Sequence, residues 1–283
     1  MFILRSSFIA VCAAVVATAS VANAADPYKI VFQNGKSIAL TSITLQKDQF
    51  VVKTPGDGFT EGQLIPVASA DHILGDKPPQ IYQALAILLN DKAKAKQAQA
   101  LLEPVVAEHK ITVGIYGSYW LEAARVLLVA YAVNGDAGLS VKIGKEISDC
   151  APTQGNDPIV ALGKALLISP LAKLEERELP LRDLTTADNV PTDVSAYASF
   201  FRGELLREKK HDAQALEAYL MVPCIFPTGG IILNAAAEMK AADLLANQGN
   251  KREEALALAT TAVRDASGTV LAEEAKKRLE SLK

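Results

Sequence analysis

From residue 79 onward the chain is a run of helical periodicity cut at intervals by residues that cannot continue a helix. Apolar residues recur three and four apart, the spacing that lines one helix face. The pattern predicts helices near 79–90, 93–109, 117–133, 138–149, 157–177, 193–209, 212–223, 231–248, 251–266 and 269–282. Breaks fall at Asn134-Gly135-Asp136, Pro152 to Pro158, Asn189 to Thr192, Pro227 to Gly230 and Gly249-Asn250. Glycine leaves the helix region readily, and proline lacks the N–H a helix interior needs. Asp157-Pro158 and Asn250 with Glu253 read as helix starts, through a capping side chain and a proline tolerated in the first turn. Short links between successive helices make them antiparallel neighbours. Such pairs, repeated along a chain, mark an α-solenoid.

Residues 25–76 follow a different rule. YKIVFQ and KSIALTSITL alternate apolar and polar residues on either side of Asn34-Gly35, a strong hairpin signal. QFVVKT follows a Lys47-Asp48 turn, and Pro55-Gly56-Asp57-Gly58 reads as a further turn. That loop has neither the lysine nor the hydroxyl of a phosphate-binding loop. Four or five short strands in this space suit a small twisted sheet or a partly closed barrel. The turn spacing resembles that of SH3-like and Sm-like barrels. The fold class read from the whole chain is mainly α: an α-solenoid over 77–283, preceded by a small β-sheet or barrel module over 25–76.

GELLREKKHDAQALEAYLMVPCIFP, from Gly203 to Pro227, shows how one helix pair packs. Gly203 and Ala215 are small residues on the first and second helix, where two helices cross closely only if both side chains are small. Leu206 follows Gly203. Tyr219 fills the space beside the crossing, and Pro227 ends the unit. In these residues the stretch resembles a tetratricopeptide repeat. It departs from that pattern at Ser199, where the first helix would carry an aromatic, and at Val222, where the second would carry a small residue. In the next unit Ala255 and Ala262 fit the small positions, but Asp243 and Ala259 do not match the glycine and aromatic. The spacing from Ala215 to Ala255 is 40, against about 34 in a tetratricopeptide array. A third unit is suggested around Ala124, Tyr131, Ser140 and Gly144. The resemblance implies that the first helix of each unit lines a concave surface taking a protein or peptide partner. Tyr197, Phe200, Glu204 and Arg207 would then face that groove, on one side of a helix by their spacing. Core packing of Tyr197 and Phe200, with solvated charges, fits the same spacing.

The first 24 residues have the form of an export signal: Arg5, an apolar core from Phe8 to Val16, then Ala22-Asn23-Ala24 as a cleavage pattern. The expected location is periplasmic or secreted. The net charge of −3 gives no basic excess for nucleic acid, and no later segment has the roughly 20 apolar residues of a membrane span. Export permits a disulfide, so the pairing of Cys150 with Cys224 stays open. His72, His109 and His211 are not spaced as zinc ligands. The adjacent glutamates at 175–176, 253–254 and 273–274 diverge on a helix and form no acid–base dyad. No nucleophile elbow occurs. No cofactor and no enzymatic activity are expected. The expected function is a non-catalytic interaction scaffold in the cell envelope. The alternative is a periplasmic protein binding a small ligand or glycan, through the aromatic cluster Tyr116, Tyr119 and Trp120.

Overall fold

A computed structural model of the chain describes residues 28–150, 157–248 and 250–282; the expected export signal lies outside them. Alternating burial organises the N-terminal module. Its strands are β1 (Lys29–Phe32), β2 (Ser37–Ala39), β3 (Ile43–Gln46), β4 (Gln49–Val52), β5 (Leu64–Pro66) and β6 (Ala70–Leu74). One antiparallel sheet has the order β2-β1-β6 and the other β3-β4-β5. Single 3-10 turns, Leu40–Ser42 and Val67–Ser69, carry the chain from the first sheet to the second and back. Ile30, Phe32, Ile38, Phe50, Val52 and Ile65 point into one shared core. The barrel alternative is not met: among the described residues no ladder joins the two sheets. The strands are three to five residues long, and the 3-10 corners interrupt pairing where a barrel would need it to continue. The expected turns form. Gly35 (φ +78°) closes the first hairpin, Lys47 (φ +55°) the second, and Asp57 and Gly58 also have positive φ.

The helices are α1 (Pro79–Asn90), α2 (Ala95–His109), α3 (Trp120–Asn134), α4 (Ala137–Ser148), α5 (Pro158–Leu166), α6 (Leu174–Thr186), α7 (Thr192–Glu208), α8 (Asp212–Ile225), α9 (Ile231–Ala246), α10 (Arg252–Asp265) and α11 (Val270–Leu282). One expected helix, 157–177, is two. The chain turns at Ser169-Pro170 and starts again at Leu174. Pro180 sits inside α6, where sequence alone argues for a stop. Tertiary packing carries the helix past it: Leu181 is buried, and Ser195 Oγ on α7 donates to the Leu184 carbonyl at 3.0 Å.

Helix contacts form a closed circuit. α1 packs on α3, α3 on α5, α5 on α7 and α7 on α9, and α9 returns to α1. Each even-numbered helix from α2 to α10 bridges the two odd-numbered helices beside it, and α11 closes the seam against α9, α10 and α1. Lys240 Nζ on α9 donates to the Asn90 carbonyl at the end of α1, 3.3 Å away. The charged last helix, α11, buries Leu271, Ala272 and Ala275 against these neighbours. Alanine makes the close approaches possible, with Ala84, Ala98, Ala124, Ala196, Ala236 and Ala241 all fully buried.

The crossing of α7 and α8 forms as its sequence implies. The Tyr219 ring lies directly over Gly203, and Ala215 and Val222 are buried beside it. Ser199, which replaces the expected aromatic, donates Oγ–H to the Ala218 carbonyl at 2.7 Å. The β module sits at the α2–α3 connection. Ile111, Ile115 and Tyr119 pack on its core, and the Ile73 N–H donates to the Tyr116 carbonyl at 2.9 Å. Buried His109 lies between the rings of Tyr28 and Tyr119, with centroids 4.6 and 5.7 Å away.

Candidate functional site

The starts of α1, α3, α7 and α9 meet at one end of the circuit, and the ends of α3 and α5 meet the second half of α7 at the other. Each end opens as a mouth. The first is lined by the N-terminal parts of α1, α3, α7 and α9, and encloses about 530 Å³. Leu85, Val126, Tyr197 and Ile232 form its floor. Tyr82 and Ile231 stand at the rim, 38% and 52% exposed. Volume and lining match a preformed binding cleft: mostly apolar, with a few polar groups converging.

Two ionic links fix those polar groups. Lys77, just before α1, pairs with Glu122 in the first turn of α3 and lies over the Tyr82 ring, 4.2 Å from its centroid. Burial works against the Lys77 ammonium, but Glu122 and Tyr82 outweigh it and hold its pKa above the usual lysine value. Arg125, one turn further along α3, donates to Asp193 at 2.7 Å and to Asp157 at 3.0 Å. Asp157 also caps α5, accepting from the Ile159 N–H at 3.0 Å. One guanidinium therefore ties α3 to the starts of α5 and α7. Gly229, in the 3-10 turn Pro227–Gly229 before α9, lets α7 approach: a Cβ there would lie 2.5 Å from that of Ala196.

The four residues expected to share a groove are separated. Tyr197 lines this first mouth. Phe200 is 1% exposed and packs edge-on against Phe201 and Tyr219. Glu204 lines the opposite mouth. Arg207 pairs with Asp243 on α9 at 3.5 Å. Closure of the circuit turns this face of α7 inward, so its aromatic members serve as core. The aromatic cluster near Trp120 divides as well. Trp120 is buried, Tyr119 donates its hydroxyl to the Gly75 carbonyl, and Tyr116 is exposed. Cys150 is buried, Cys224 is exposed, and no disulfide joins them.

Sequence reasoning missed Lys77, Tyr82, Arg125 and Ile231. A signal existed for Arg125. It is the one basic residue in WLEAARVLLVAYAV, and a charge on an apolar helix needs a partner. Lys77 lay in a linker read only as a boundary. Among the described residues no group of three or more His, Cys, Asp or Glu side chains could hold a metal ion, and no helix is long and apolar enough to cross a membrane. No protein-family model matches the chain, and no curated protein sequence does.

Proposed function

We propose that this chain is an exported, non-catalytic interaction scaffold of the cell envelope, built from tetratricopeptide-like helix pairs, that holds a protein or peptide partner at the mouth formed by the helix N-termini. The observation that carries the reading is the rim itself. Tyr82 and Ile231 expose apolar surface beside a cleft whose walls carry Lys77, Glu122, Arg125 and Asp193. An apolar anchor in a pocket, surrounded by a charged rim, is the usual anatomy of a protein-binding hot spot. The matching segment carries an apolar side chain flanked by both signs of charge. Tyr197 takes part from the floor; Phe200, Glu204 and Arg207 lie further along α7, in the core, at the opposite mouth and against α9.

The test is crosslinking in intact cells followed by capture of the full exported chain. A specific partner should appear with the wild type, disappear with Ile231→Asp, and persist with Leu171→Asp, a change at a residue 96% exposed and away from the mouth. Melting temperature controls for folding. A partner retained by Ile231→Asp, or no specific partner at all, overturns the reading.

A further inference from the structure

The opposite mouth has a different chemistry. It encloses about 560 Å³ between the C-terminal ends of α3 and α5 and the sides of α6 and α7. Val133, Leu166, Leu181, Phe201 and Leu205 give it an apolar wall. Four charged side chains line the same space: Lys92, Arg177, Glu204 and Glu208.

These charges are balanced in sign yet loosely joined. Arg177 Nη1 lies 3.5 Å from Glu208, and Lys92 Nζ lies 3.7 Å from Glu204 and 3.9 Å from Glu208. A charge-assisted hydrogen bond is about 2.7–2.9 Å long. Arg177 Nη1 is shut off from water and makes no hydrogen bond. The Arg177 side chain as a whole lines the mouth and keeps 17% of its surface exposed, and the planar fork of a guanidinium matches a carboxylate. Glu204 is already engaged by Tyr219 and Lys240. Among the described residues Glu208 makes only the looser pairs, and 45% of its side chain is open to solvent. The ends of α3 and α5 add the negative pole of two helix dipoles, which favours a cation at that side.

A ligand of one sign is disfavoured. A simple carboxylate would meet Glu204 and Glu208, and a simple amine would meet Lys92 and Arg177. We propose that this second mouth binds a zwitterion with an apolar body, of the class of apolar α-amino acids and their dipeptides. The carboxylate lies on Arg177 and Lys92, the ammonium on Glu208 and the helix C-termini, and the side chain against Phe201, Leu205 and Leu181.

Isothermal titration of the full exported chain tests this with three phenyl probes: L-phenylalanine, 3-phenylpropanoate, which lacks the ammonium, and 2-phenylethylamine, which lacks the carboxylate. L-leucyl-L-leucine serves as a dipeptide probe. At least one zwitterion should bind saturably, and each truncated phenylalanine analogue should bind at least tenfold more weakly than phenylalanine. Arg177→Gln should weaken phenylalanine at least tenfold without weakening 2-phenylethylamine, whose ammonium Arg177 repels. Glu208→Gln should do the reverse, weakening phenylalanine and sparing 3-phenylpropanoate. Melting curves without ligand establish that both variants fold. The proposal falls if neither zwitterion binds, or if a one-charge analogue matches phenylalanine.

Discussion

Tyr219 occupies the space that a Cβ on Gly203 would need: that atom would lie 2.7 Å from ring carbon Cε1. The ring cannot yield, since it is fully buried with Phe200 against it. Its hydroxyl donates to Glu204 Oε1 at 2.6 Å, which pins the ring from the other side. One glycine thus sets the depth at which α8 sits on α7, and the same tyrosine holds the carboxylate at the second mouth.

Gly203→Ala should therefore destabilise the protein although alanine is the better helix former. Overpacking costs about 1–3 kcal/mol, and the helix-propensity gain returns about 1 kcal/mol. A net loss of up to about 2 kcal/mol should appear as a lower urea midpoint. Gly138→Ala is the control. It lies in α4 with open space around it, and should stabilise by up to about 1 kcal/mol. Equal effects of the two changes would refute the packing account.

Glu204 makes the circuit sensitive to acid. Burial alone would raise its carboxyl, but Lys240, the Tyr219 hydroxyl and Lys92 outweigh burial and hold it below the usual carboxylate value. A group whose folded pKa is depressed stabilises the fold above its unfolded pKa, and that stability is lost as pH falls through the folded pKa. Wild-type stability should decline below about pH 4.5, where glutamates in the unfolded chain protonate. Glu204→Gln should start lower at pH 7 and show a shallower acid limb. Lys240→Met removes both the Glu204 pair and the bond to Asn90, and should cost about 3 kcal/mol, as loss of one partner of a buried pair does. Guanidinium unfolding across pH 3–7 separates these cases; parallel acid limbs for wild type and Glu204→Gln would exclude Glu204 as the sensor.

Glu238 has the opposite sign. Burial first, and Asp265 second, push its carboxyl up to about 7, with Arg264 opposing. Its Oε2 is shielded from water and accepts no hydrogen bond. A raised folded pKa means that folding favours the protonated form. Stability is then fullest below the unfolded value of about 4.5, falls as pH rises toward about 7, and is level above it. Glu238→Gln removes the titration and should add about 2 kcal/mol at pH 8. For a chain of this size that is a rise in Tm of about 4–8 °C. Near pH 4 the gain should vanish. A variant with the same advantage at both pH values would show that the effect is not ionisation.

Local rules made much of this architecture readable. Asn34-Gly35 and Lys47-Asp48 placed two hairpins, and Gly203 with Tyr219 placed a helix crossing, because each depends on residues near in sequence. α6 was misread because the expected helix ran through Pro170 and stopped short of Pro180, two prolines with the same local signal, of which only the second lies in a helix held by neighbours. Closure of the circuit was not readable. It packs α1 on α9 and α11 and brings Asn90 to Lys240, 150 positions apart, and no periodicity encodes that meeting. The candidate site suffered for the same reason. Tyr197 and Glu204 share a helix face, but the return of α9 to α1 decides that they line different mouths.

Arg125 offers the sharpest test of how the first mouth is held. Its two bonds reach Asp157 and Asp193, and Asp157 is nearly buried while also capping α5. Asp157→Asn keeps a capping oxygen but loses the charge; Asp157→Leu loses both. Hydrogen bonds to charged groups contribute about 1.5–3 kcal/mol each, and a helix cap about 1 kcal/mol. The asparagine variant should thus lose about 2 kcal/mol and the leucine variant about 1 kcal/mol more. Arg125→Met should cost at least as much as Asp157→Asn, because it leaves a shielded carboxylate without its cation. Combining Arg125→Met with Asp157→Asn should cost less than the sum, since one interaction cannot be lost twice. Strict additivity in that cycle would mean that the guanidinium and Asp157 do not hold each other, and that the mouth takes its shape from packing alone.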